Sequence, residues 1–166
     1  LLSASLMTHV ALGALSDSYA FGTCDQVLDG DTFWFVADGQ EARQKVRLGG
    51  IDAPEAHQRF GSKAKGNLKI LLYGKKLEIQ FLGTDAETGN KVVLVDAEGT
   101  DPARLQAFKG LAWLNPDDFD IVPMKKIEEY DELIYEAQVS HFGLWKERNY
   151  IPPWEYREKE RRKNRR

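Results

Sequence analysis

Two short segments that alternate in polarity, TFWFV (Thr32 to Val36) and KVRL (Lys45 to Leu48), lie on either side of the turn residues Ala37-Asp38-Gly39-Gln40. Period-two alternation marks strands with one buried face, and Asp-Gly supplies turn chemistry between them, so the pair predicts a hairpin. Phe33 and Phe35 share one face of the first strand; Arg47 faces opposite to Val46 and Leu48 on the second. A turn centred between Asp38 and Gly39 pairs Asp31 with Val46 and puts Arg47 one step away.

A further strand begins near Cys24, and LEIQFL (Leu77 to Leu82) and KVVLV (Lys91 to Val95) bring the number to five. Ile51-Asp52-Ala53-Pro54-Glu55 cannot be helical before its proline. After it, Gly61 to Leu72 places Ala64, Leu68 and Leu71 at helical spacing. A short helix is expected over Pro102 to Lys109 and a longer one over Met124 to Phe142, with Ile127, Ile134 and Ala137 inward and Gly143 as its stop. Five short strands in two runs, interrupted by one helix and followed by two, fit a small closed barrel with packed helices (mainly β, α+β) better than a parallel sheet.

At 166 residues and 42% hydrophobic composition the chain suits one domain with a real core. We expect it over 21–153, ending at Pro152-Pro153, followed by a basic tail over 154–166. The net charge of −3 gives no basic field of the kind that coats DNA. The tail holds seven Lys/Arg against three Glu, and reads as a solvated, partly disordered run able to touch phosphates. Cys24 is the only cysteine, which excludes an internal disulfide and any cysteine-based metal cluster; a small buried residue at a strand start is its simplest reading. Residues 1–20 are small and apolar and end in Ser18-Tyr19-Ala20, a pattern expected of an export signal without its Met and basic start, which predicts a secreted or periplasmic protein.

Chemistry concentrates in VLDGDTF and the segment after the hairpin. Asp31, Asp52 and Glu55 are hard oxygen ligands, and the hairpin brings them near Arg47. Either a cation neutralises such a cluster or the groups stay wet and apart; all-oxygen ligation favours Ca²⁺ or Mg²⁺ over zinc. Turn capping is the competing reading, because Asp at a turn hydrogen-bonds its own backbone. Gly30 is expected to bend the chain sharply so that Asp31 faces the ion, with Asp29 supporting it from behind or standing as a plain turn carboxylate. His9, His57 and His141 have no ligand spacing.

DGDT, fourteen residues, then RLGGIDAPE, followed by QRFGSKAK, GLAW, GLW and IPPWEYR, resembles the staphylococcal-nuclease-like (thermonuclease) family in its secreted bacterial form, from about Cys24 to Arg157. The resemblance implies an OB-fold barrel with three helices and Ca²⁺-dependent hydrolysis of phosphodiester bonds in DNA or RNA. It makes Asp31, Asp52 and the Ala53 carbonyl metal ligands, Glu55 the residue that holds or deprotonates the attacking water, and Arg47 the phosphate grip. The expected substrate is single-stranded or unpaired nucleic acid, acted on by a monomer with no membrane association in its mature form.

The chain departs from the family pattern where a second phosphate-binding arginine is expected. Asn90 stands in its place and Lys91 comes one residue late, on what should be the opposite strand face. Tyrosines expected after GLAW are replaced by Asn115-Pro116-Asp117-Asp118, and Asp117, Asp118 and Asp120 would repel phosphate if they line the groove. Trp34, Trp113, Trp145, Trp154 and Tyr150 could stack on bases, although packing is the commoner role. Two functions therefore follow: a Ca²⁺-dependent endonuclease slowed by the missing guanidinium, or a non-catalytic OB-fold module that binds nucleic acid, nucleotide or protein.

Overall fold

The computed structural model describes residues 19–165. β1 (Tyr19–Val27), β2 (Thr32–Ala37), β3 (Arg43–Leu48), β5 (Leu77–Thr84) and β6 (Lys91–Ala97) close into a barrel in the order β1-β2-β3-β6-β5. Only the β3–β6 seam is parallel. A two-residue β4 (Ile51–Asp52) leaves the barrel and pairs with β7 (Trp113–Leu114). The architecture is the expected OB-fold barrel with helices.

The alternating residues do what their spacing requires. Phe33, Phe35, Val46, Leu48, Ile79 and Val93 are buried in one core. α1 (Gly61–Leu72) directs Ala64 and Leu68 into that core and also buries Leu71, and α2 (Pro102–Phe108) opens on Asp101, whose side chain accepts from the Arg104 N–H. α3 (Met124–Val139) buries Ile127, Tyr130, Ile134 and Ala137. It ends three residues before the expected Phe142: His141 has a positive φ of 50° and Gly143, at 60°, opens a separate 3₁₀ turn.

Two expectations need correction. The hairpin register is two residues away from the counted one, with Phe33 rather than Asp31 opposite Val46. The connection runs from Asp38 to Ala42, and an even slip leaves every side chain on its intended face. The basic tail is also not a loose run. Pro153 opens α4 (Pro153–Asn164) instead of closing the folded part. Proline suits the first helical turn, Glu155 sits near the N-terminus, and Arg161, Arg162 and Lys163 lie in the last turn, where the helix dipole favours positive charge.

Cys24 is half-buried within β1, not fully buried, and burial with Asp25 beside it pushes the thiol up to about 12. Of the stretch expected to be an export signal, residues 1–18 and His9 lie outside the described residues, while Tyr19 and Ala20 pair with Gln80 and Ile79 of β5. Among the described residues no helix is long and apolar enough to cross a membrane. Trp113 and Trp145 pack edge-on with centroids 5.3 Å apart, and Tyr150 meets Trp145 at 4.7 Å, so these aromatics pack on one another beside β7.

Candidate active site

The turn between β1 and β2 presents the first carboxylate. Asp29 Oδ1 accepts the main-chain N–H groups of Asp31 at 3.0 Å and Thr32 at 2.8 Å, so its support for Asp31 comes through the backbone. Gly30 lies in a bend spanning Asp29 to Asp31, as expected, and does so without a positive φ. Space is what matters: a Cβ there would sit 2.6 Å from the Cβ atoms of both Ala53 and Ala64. The turn is thus pressed against the segment that carries the second carboxylate. Asp31 Oδ2 accepts the Ala53 N–H and Oδ1 accepts the Thr32 hydroxyl, each at 2.7 Å.

Gly50 brings β4 to the site. Its φ of 84° suits glycine, and the Asp118 carboxylate accepts its N–H at 2.7 Å. Asp52 follows on β4, opposite Trp113, and Glu55 follows Pro54, its N–H held by Gln58 Oε1. Asp29, Asp31, Arg47, Asp52, Ala53, Glu55, Asp85, Glu87 and Asn90 line one cleft of about 160 Å³, along with Lys45 and Arg157. Every expected site residue except Lys91 therefore lies there. Lys91, exposed at the start of β6, sits 4.9 Å from the Phe81 ring, as the opposite strand face requires.

The carboxylates share the cleft without converging on a single point. Among the described residues no three His, Cys, Asp or Glu side chains are placed to hold an ion together. Asp52 and Glu55 instead meet Arg157 of α4. Arg157 Nη2 donates to Asp52 Oδ2 at 2.9 Å, and Nη1 donates to Asp52 Oδ1 at 3.2 Å and Glu55 Oε1 at 2.9 Å. This contact is invisible to local pattern, since 102 residues separate Arg157 from Glu55. The only signal was an arginine in IPPWEYR within an otherwise generic charge run.

Arg47 has a different engagement from the expected open phosphate grip. Its Nη1 and Nη2 donate to Asp118 Oδ2 at 2.9 Å and Oδ1 at 2.7 Å, Nη2 also lies 3.0 Å from Asp85 Oδ2, and Nη1 reaches the Leu48 and Ile51 carbonyls. Only Nε, also buried, lacks an acceptor. Asp118 is 1% exposed and neutralised by this pair, so it does not confront a phosphate; Asp117 and Asp120 remain on the surface. His57 and His141 are exposed.

The charges do not balance. Six carboxylates line the cleft against three basic side chains. Asp31, 4% exposed, has its pKa raised well above the carboxylate range, by burial first and then by the charges of Asp29 and Asp52. Burial also raises Asp52, to about 6, despite the Arg157 hydrogen bonds. A hard divalent cation suits such a donor set: oxygen-only ligands, buried, and short of positive charge.

A family model for staphylococcal nuclease homologues matches residues 45–147. The chain belongs to that family. It is 30% identical to an uncharacterised endonuclease of Haemophilus influenzae over 97% of this chain and 86% of the relative. It is 28% identical to a micrococcal nuclease of Shigella flexneri over 94% of this chain and 90% of that protein, and 29% identical to an uncharacterised endonuclease of Escherichia coli over 82% and 84%.

Proposed function

We propose that the protein is a Ca²⁺-dependent endonuclease that hydrolyses phosphodiester bonds in unpaired DNA or RNA. One observation carries this reading: the buried Asp31 carboxylate lies in a cleft with Asp52, Glu55 and Arg47 where negative charge exceeds positive. Asp31, Asp52 and the Ala53 carbonyl would hold the ion. When bound, a divalent cation polarises a phosphoryl oxygen and offsets the surplus negative charge.

The remaining steps belong to this chain's side chains. Glu55, one-third exposed at its side chain, takes a proton from water. The water oxygen then bonds to phosphorus, one ester P–O bond breaks, and the departing oxygen is protonated from solvent. Arg47, its terminal nitrogens held by Asp118 and Asp85, has Nε as its one donor without an acceptor, and that donor would serve the phosphate.

Asp31→Asn separates this reading from a non-catalytic binding module. Asn keeps an acceptor for the Ala53 N–H and a group that can pair with the Thr32 hydroxyl, while removing the charge. The raised folded-state pKa means that ionised Asp31 destabilises the native state as pH rises above its unfolded value of about 4, so the advantage of Asn widens upward from there. At neutral pH in EDTA the variant should melt at a higher Tm than wild type. With Ca²⁺, wild type should cut denatured DNA and rise in Tm, whereas Asp31→Asn should do neither. Wild-type protein that gives no Ca²⁺-dependent fragments would end the enzyme reading.

The proposal includes export, with cleavage after Ala20. That cut removes two residues of β1 and leaves its pairing with β2, which begins at Gly22. N-terminal sequencing of exported protein should begin at Phe21; retention of Tyr19 in the mature chain would contradict it.

A further inference from the structure

We propose that Arg157, presented by the C-terminal helix α4, is a substrate-contacting residue whose guanidinium grips the phosphate beside Glu55. The inference rests on the nuclease reading and adds to it a group from the far end of the chain.

A phosphate entering this cleft passes six carboxylates, and only Lys45, Arg47 and Arg157 oppose them there. Arg47 has both terminal nitrogens engaged by Asp118, Asp85 and two main-chain carbonyls. Its side chain is 7% exposed. Lys45 is exposed and offers a point charge with no fork. Arg157 remains. Its side chain keeps 27% exposure, and its terminal nitrogens already lie against Asp52 and Glu55, the groups next to which the reacting phosphate must sit.

A guanidinium fork matches carboxylate and phosphate oxygens with the same geometry, so the donors now serving Asp52 and Glu55 suit either anion. Arg157 Nε is buried with no hydrogen-bond acceptor; Glu87 Oε2 stands 3.5 Å away. Glu87 also pairs with Arg161, one turn along α4, which ties the helix to the loop between β5 and β6. That loop contributes Asn90 to the cleft but no cation of its own. Arg157 thus brings to this wall the positive charge that the loop lacks.

The test compares wild type with Arg157→Ala, Arg157→Lys and the double variant Arg157→Ala/Asn90→Arg. Cleavage of denatured DNA in Ca²⁺ is measured alongside the salt dependence of binding to a fluorescein-labelled single-stranded DNA dodecamer in EDTA. Arg157→Ala should lower kcat/KM by about 10²- to 10³-fold, and should flatten the slope of log Kd against log salt by about 0.7, the loss of one phosphate contact. Arg157→Lys should keep the slope but lose at least about tenfold in rate, because it keeps the charge and lacks the fork. Asn90→Arg should recover about tenfold or more of the alanine loss by restoring a guanidinium to the same cleft.

A rate within about threefold of wild type for Arg157→Ala overturns the proposal. So does a rate loss with an unchanged slope, which would leave Arg157 a counter-ion for the carboxylates only. If wild type itself does not cleave, the nuclease reading fails, and the slope still decides whether Arg157 meets phosphate.

Discussion

Glu55→Gln should lower kcat by about 10²- to 10⁴-fold, the usual contribution of a positioned general base. The substitution is nearly isosteric. Gln keeps an acceptor for Arg157 Nη1, now 2.9 Å from Glu55 Oε1, and the main-chain bond from the Glu55 N–H to Gln58 is untouched. Because the side chain is one-third exposed, losing its charge should change stability by no more than about 1 kcal/mol. What Gln cannot do is accept a proton from water. Single-turnover cleavage with thermal melts on the same samples checks this. A folded variant that retains more than about a tenth of the wild-type rate would remove Glu55 from the proton transfer.

The largest loss of stability is expected from Asp118→Ala, at about 3–5 kcal/mol. Asp118 is nearly inaccessible and accepts three hydrogen bonds, two from the Arg47 guanidinium and one from the Gly50 N–H. Alanine leaves a buried cation with Asp85 as its remaining close carboxylate partner, and leaves an unpaired N–H at the bend that aims β4. Urea unfolding should show a lower midpoint with little change in slope. Asp118→Asn should fall between the two, since it keeps an acceptor while setting an amide donor against a guanidinium. A loss below about 1 kcal/mol for alanine would mean that Arg47 is held chiefly by Asp85.

Asp118 also shows where sequence reading reaches its limit. From the sequence it is one of three acidic residues that threaten a phosphate. In the fold its charge is paired with Arg47, 71 positions away. Local rules had no access to that pairing. They did well wherever the determining interaction is short in sequence: the faces of β2 and β3, the full span of α1 and the opposite orientation of Lys91 all follow from periodicity. The hairpin register slipped because turn length was inferred from Asp38-Gly39 alone, while the even slip preserved the faces that burial selects. The carboxylates of the motif spanning DGDT to DAPE share one cleft because only a hairpin and a short crossing strand separate them. Arg157 stayed hidden because a charge run reads as solvent-facing until a helix gives it direction. At Gly30 the sequence suggested the bend but not the close approach to Ala53 and Ala64, because both leave the same letter in a sequence.

The turn bearing Asp31 is tied down from beneath. Gln106 Nε2 donates to the carbonyls of Gly30 and Ala64, Asn67 Nδ2 donates to Gln106 Oε1 at 2.7 Å, and Lys109 Nζ donates to Asn67 at 2.7 Å. Gln106 is completely inaccessible and has every polar atom satisfied. That side of the groove is thus tied through α1 and α2 to the packed core. The facing rim, from Asp85 to Asn90, is held instead by ion pairs, Asp85 to Arg47 and Glu87 to Arg161, so the two walls of the groove differ in kind: an amide network on one side, salt-sensitive charge pairs on the other.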